Sequence, residues 1–314
     1  MNKTKRHWAF AAMIFAAKAA ILLAVLGWVG WELYKSWNKI SQLNWQPDYF
    51  YLTLCGVFYI AAFVPSVFFW RYVMQTFGQS PGLYESFRAY YIGHLGKYVP
   101  GKALAVVLRA GLLDSAKTKP AVAATAVFLE TLTMMSAGAC IAALFVAVLL
   151  RNVHYGNYLS LLCIGLMLVS ALPIVPRFFK LIAAKILPKE QAQSLQLTFK
   201  TLFIGWLLMI PLWLMLGLSV WAALRGIGID VSLAELPRFI AAAAFSIVLG
   251  FITMVPGGLG VREFALAQIL VFYFATVPGI MEPTLAAITV AGVQRLVSII
   301  AELVVSAMLC YNKR

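Results

Sequence analysis

Apolar residues run through this chain in long blocks. A helix needs about 20 mostly apolar residues to cross a bilayer, within a range of about 17–25. Seven blocks meet that length: residues 8–31, 49–70, 121–150, 158–176, 201–224, 236–254 and 284–310. The 121–150 block is long enough to tilt or to project beyond the bilayer. The blocks are spread from end to end, so they predict one all-α, polytopic membrane domain over 1–314, with about seven full spans plus broken or re-entrant helices.

Two further stretches supply the breaks. Val99-Pro100-Gly101 splits 84–113 into two arms, because the residue before a proline is pushed out of the helical region and glycine adds freedom. Each arm is about a dozen residues, the length of a re-entrant or interfacial helix. The second stretch, 264–277, lies between Pro256-Gly257-Gly258 and Pro278-Gly279 and is short for a crossing. Residues 177–200, which include Pro188-Lys189-Glu190-Gln191, read as a surface helix and connector too small to be a catalytic domain.

Composition agrees. The chain is 63% hydrophobic and 11% charged, with a mean hydropathy of +0.89, against about 45–50% apolar and about 25% charged in soluble domains. Lys3, Lys5 and Arg6 before an apolar run resemble a signal peptide, but the run is too long and holds Lys18, so an uncleaved first span is expected. Cys55, Cys140, Cys163 and Cys310 lie in or beside apolar stretches, with neither metal-ligand spacing nor a disulfide framework.

The net charge of +14 sits in loops between apolar blocks, where it orients the protein and attracts anionic headgroups; nucleic acid is not the expected partner. If 84–113 enters the membrane and returns, seventeen of the 25 Lys and Arg fall on the side of the N-terminus and five on the other. The positive-inside rule then makes the N-terminus cytoplasmic, in a multi-pass inner (plasma) membrane protein. For the C-terminus to be inside as well, 264–277 must cross.

Candidate chemistry concentrates in three places. The first is His94-Leu95-Gly96-Lys97-Tyr98-Val99-Pro100-Gly101-Lys102, followed by Arg109. Proline suits a first helical turn, so a helix start is expected near Pro100, with free N–H groups facing an anion and Lys97 and Lys102 beside it. The bland alternative is a surface helix whose lysines touch lipid phosphates. Gly96 to Lys102 also spells most of a P-loop, but Ala103 stands where Ser or Thr would hold magnesium, which excludes nucleotide hydrolysis.

The second place is Val255-Pro256-Gly257-Gly258-Leu259-Gly260-Val261-Arg262-Glu263, where the glycines permit positive φ and a close approach to ligand. It shares Val-Pro-Gly with the first, as paired interruptions in transporters do. It reads either as a substrate-contacting turn or as a tight corner held by a salt bridge. The third place is Glu130, Arg295 and Glu302, charges inside apolar spans; Arg295 and Glu302 share a helix face. Such charges mark a cavity or a structural ion pair.

The run Gly96–Lys102 through Arg109, followed by Glu130-Thr131, resembles the first half of the lysylphosphatidylglycerol synthase transmembrane (flippase-like) family. Val255–Glu263 resembles that family's second signature. The resemblance implies a membrane domain that moves lipids between leaflets. In the bacterial multiple peptide resistance factors a similar domain translocates aminoacylated phosphatidylglycerol, made by a soluble transferase domain. This sequence stops at Arg314 without such a domain, so lipid synthesis is not implied.

The expected partners are therefore membrane lipids with anionic headgroups, and a homo-oligomer stays open. No cofactor, metal or catalytic residue is expected, and transport would be passive or ion-coupled, with Glu130 or Glu263 as the proton site. The residues expected to meet substrate are Lys97, Pro100, Gly101, Lys102, Arg109, Glu130, Gly257, Gly258, Gly260, Arg262, Glu263 and Arg295. Two rivals remain: a membrane-embedded enzyme acting on a lipid-linked substrate, for which only His94 and Glu85 lie close to the first motif, and an envelope scaffold.

Overall fold

The computed structural model describes residues 47–98, 103–113, 118–150, 156–178, 180–181, 197–275 and 282–311. The expected first span 8–31, the Val99-Pro100-Gly101-Lys102 break and most of the 177–200 surface helix and connector lie outside the described residues. Among those described, every regular element is helical. Six stretches are long and apolar enough to cross a membrane: Tyr49–Thr76, Pro120–Val148, Phe199–Gly226, Leu233–Ile252, Pro256–Phe274 and Pro283–Tyr311.

The first stretch is two helices, α1 (Tyr49–Ala62) and α2 (Val64–Thr76). Asp48 caps α1, its Oδ1 accepting from Phe50 N–H at 2.9 Å. Pro65, at the start of α2, removes a donor and crowds the carbonyl four residues back, so the helix breaks at Phe63. The Ile60 carbonyl beside the break accepts from the Tyr91 hydroxyl at 2.8 Å.

The next helix, α3 (Leu83–His94), continues as a 3₁₀ turn, Leu95–Tyr98, and α4 (Ala103–Gly111) follows the gap. Gly93 lies against Arg109, and a Cβ on Gly96 would fall 2.6 Å from the Ala105 nitrogen. Numbering rises on one arm as it falls on the other, so α3 and α4 form an antiparallel hairpin, as expected of a segment that enters and returns. Lys119 N–H donates to Gln79 Oε1 at 2.7 Å, which ties the segment after the hairpin to the one before it.

The remaining helices are α5 (Pro120–Leu150), α6 (Gly156–Ala171), α7 (Phe199–Gly226), α8 (Leu236–Ile252), α9 (Val261–Phe274) and α10 (Pro283–Tyr311). The expected 158–176 span is α6, at 16 residues shorter than the spans above, followed by a 3₁₀ turn. α7 packs against α1, α2, α5, α8 and α10. Gly217 admits Ile240 and Gly226 admits Leu52, small residues that bring helices close where lipid offers no hydrophobic drive for association.

One expectation is corrected. The stretch assigned to 264–277, judged short for a crossing, is part of Pro256–Phe274, 19 residues long. α9 starts at Val261, so Arg262 and Glu263 lie within its first turn. The added length comes from the glycine turn, whose 3₁₀ segment Pro256–Gly258 leads into the helix that Arg262 and Glu263 open. A crossing by α9 fits a C-terminus on the same side as the hairpin's ends.

Candidate functional site

α8 ends at Ile252 and runs into a glycine turn whose non-helical backbone must be satisfied by protein or water. All three of its glycines take positive φ: Gly257 at 60°, Gly258 at 66° and Gly260 at 79°, and Met254 joins them at 57°. Arg295 of α10 satisfies the turn, Nη2 donating to the Gly257 carbonyl at 2.8 Å.

The two sequence motifs meet here. A Cβ on Gly257 would fall 2.7 Å from the Tyr98 ring, so the 3₁₀ turn of the hairpin rests on the glycine turn. Arg295 lies over the same ring, its Cζ 5.4 Å from the centroid, and its Nε is 2.9 Å from Glu263 Oε1.

Glycine has a second use. The Arg262 stem runs between Gly250 of α8 and Gly258 of the turn; a Cβ on either would fall 2.6 or 2.9 Å, respectively, from Arg262 Cγ. At Gly258 the room expected for a ligand is filled by the protein's own arginine. Arg262 faces Tyr59 and Glu302 as well as Glu263.

Glu302 of α10 is the centre of the cluster and is 2% exposed. Three donors from two parts of the chain converge on it. Tyr59 of α1 and Lys97 of the hairpin donate to Oε1, and the Tyr98 hydroxyl donates to Oε2 at 2.9 Å. Lys97 Nζ is also 3.3 Å from the Tyr59 hydroxyl. A second pair lies deeper in the hairpin. Arg109 Nη1 donates to Glu130 Oε2 at 3.0 Å, Tyr90 donates to Oε1 at 2.9 Å, and the Arg109 guanidinium stacks 3.8 Å from the Tyr90 ring centre.

His94 joins the two. Arg109 Nη2 lies 3.3 Å from its Nδ1. Arginine has no acceptor, so Nδ1 must accept and the ring proton sits on Nε2. That nitrogen points at Glu302 Oε1 from 3.6 Å, too far for a hydrogen bond.

The embedded charges thus pair as Glu130 with Arg109, Glu263 with Arg295, and Glu302 with Lys97. Glu130, Arg295 and Glu302 do not pair with one another. Arg295 and Glu302 do share a buried face, as their spacing predicts. Lys97 and Arg109, counted among the cytoplasmic charges, are engaged with carboxylates and contribute little to the positive-inside asymmetry. Glu85 accepts from the Gly82 N–H at 3.0 Å at the start of its own helix, away from His94. Pro100, Gly101 and Lys102 lie outside the described residues, and with them the expected helix start at Pro100. Nothing local in the sequence marks Tyr59 or Tyr90, which are ordinary aromatic residues in apolar surroundings.

Four cationic side chains, Lys97, Arg109, Arg262 and Arg295, face three carboxylates, Glu130, Glu263 and Glu302. Several polar atoms in this group are buried without a hydrogen bond in the structure, among them Arg295 Nη1, Arg109 Nε and both Glu263 oxygens. An excess of positive charge with unused donors can take an anion.

A family model described as the lysylphosphatidylglycerol synthase TM region matches residues 15–306 of this chain. No curated protein matches it.

Proposed function

This chain belongs to the lysylphosphatidylglycerol synthase transmembrane-region family, and from that premise we propose that it moves a phospholipid with an anionic or modified headgroup between leaflets, by way of the embedded polar cluster. The observation that carries the reading is the surplus cation among the seven charged side chains where the hairpin meets the glycine turn. Charges at membrane depth are costly, and a surplus one favours a mobile counter-anion. A headgroup phosphate supplies that anion while its acyl chains stay in lipid. The reading assigns no bond-making step; Glu85, the acid close to His94 in sequence, accepts from Gly82 N–H at the start of its own helix.

Reconstitution into vesicles doped with fluorescent phosphatidylglycerol tests the proposal. The wild-type protein should make inner-leaflet probe accessible to an impermeant quencher well above the protein-free rate. Arg262→Ala should slow this by roughly tenfold to a hundredfold, the worth of one hydrogen bond to a charged group. Vesicles indistinguishable from protein-free ones would move the chain to the scaffold or enzyme reading.

The proposed orientation has the N-terminus and both ends of the hairpin in the cytoplasm of a plasma membrane protein. The tie between Lys119 and Gln79 supports one side for both ends. A cysteine at exposed Lys119 should react with an impermeant reagent only after the membrane is opened; labelling of intact cells would reverse the layout.

A further inference from the structure

Glu302 is held as a bound anion would be. Its carboxylate takes two hydroxyls and one ammonium, from Tyr59, Tyr98 and Lys97. Those donors come from α1 and from the hairpin's 3₁₀ turn, whereas the acceptor comes from α10. The same three donors would serve an acceptor that is not part of the chain. A phosphodiester offers the same pair of charged oxygens and accepts the same three hydrogen bonds.

We propose that Tyr59, Lys97 and Tyr98 form a lipid phosphodiester site which Glu302 fills in the absence of lipid, and that lipid displaces Glu302 with uptake of one proton. The inference rests on the lipid-transport reading above and gives it a substrate site and a coupling ion. When the phosphodiester enters, three hydrogen bonds pass from the carboxylate to the phosphate oxygens. Glu302 is left buried beside a second anion that competes for the same cations. Only one of the two can be neutralised near neutral pH, because a phosphodiester stays ionised, so a proton from solution goes to the Glu302 carboxylate. One negative charge and one proton enter together; the proton leaves a buffer acid in solution, so the only covalent changes are that acid's lost bond to hydrogen and the O–H gained by Glu302.

The groups facing Glu302 are Tyr59 on α1, His94 on α3, Lys97 and Tyr98 on the 3₁₀ turn, and Arg262 on α9, with Arg295 on its own helix acting on the Tyr98 that it holds. Arg262 and Arg295 keep their positions on Glu263 and the glycine turn, so they hold the cradle while Lys97 changes partner. This places the proton on Glu302, in contrast to Glu130, whose partner Arg109 lies on the far side of His94.

Calorimetric titration of the purified full chain in neutral detergent with short-chain phosphatidylglycerol tests the swap. Repeating it in buffers of different ionisation enthalpy should count about one proton taken up per lipid bound, and affinity should rise about tenfold for each unit fall in pH. Glu302→Gln keeps the shape without the charge. It should bind more tightly at neutral pH, take up no proton and lose the pH dependence. Tyr98→Phe should weaken binding by about tenfold with proton uptake unchanged. Inorganic phosphate, as a second probe, should not bind at the same concentrations; equal binding would make this a free-anion site and overturn the assignment to lipid. Lipid binding to the wild type without proton uptake would overturn the swap and leave the transport reading standing. No lipid binding at all would remove both.

Discussion

Replacing Glu302 with alanine should destabilise the protein by about 3–5 kcal/mol, the cost of removing one partner of a buried ion pair. Lys97 would be stranded beside Arg262 and Arg295 without its partner carboxylate, and Tyr59 and Tyr98 would lose their acceptor. Lys97 is partly accessible, which places the loss toward the lower end. Unfolding of purified protein by denaturing detergent measures it. The decisive measurement is a double-mutant cycle. Lys97→Ala with Glu302→Ala should be more stable than Glu302→Ala alone, because the stranded, partnerless amine is gone. A double variant as unstable as the sum of the two singles would mean that Glu302 acts through its tyrosines and that the ion pair is incidental.

Gly258→Val should be nearly as damaging, at about 2–5 kcal/mol, by two routes. A positive φ of 66° costs an L residue roughly 1–2 kcal/mol. The new side chain would also meet Arg262 Cγ from 2.9 Å, an overpacking that costs about 1–3 kcal/mol. Gly250→Ala separates the two routes. Gly250 is helical, so its φ is not at issue, yet its Cβ would fall 2.6 Å from the same Arg262 Cγ. In the wild type this substitution should destabilise. In an Arg262→Ala background the obstacle is gone, and it should stabilise by up to about 1 kcal/mol through the higher helix propensity of alanine. A change that keeps its sign in both backgrounds would show that the slot does not hold the arginine. Both variants should also lower lipid transport, since a displaced Arg262 no longer faces Tyr59 and Glu302.

The sequence alone determined the helical membrane class, because lipid requires backbone groups to be satisfied within each helix and so gives a long apolar block one main use. It determined the left-handed turn at 257–260, because glycine alone enters that region at little cost, whereas the Phe63 break lay hidden in a block that reads as one span over 49–70. It flagged Glu130, Arg295 and Glu302, since a charge in an apolar block is visible without any partner. The partners were left to the tertiary structure. Lys97 lies 205 positions before Glu302, and Tyr59 lies 243 before it. No local period links residues that far apart, and a tyrosine in an aromatic-rich helix looks the same whether it meets lipid or a carboxylate. The surroundings of Arg262 and Glu263 were hidden for the same reason: Gly250 and Gly258 sheathe one, and Arg295 pairs with the other. Which residues ionise, and where, follows from composition. Which charge each one faces depends on how helices hundreds of residues apart come together, and that contact decides whether a buried charge belongs to the fold or to the substrate.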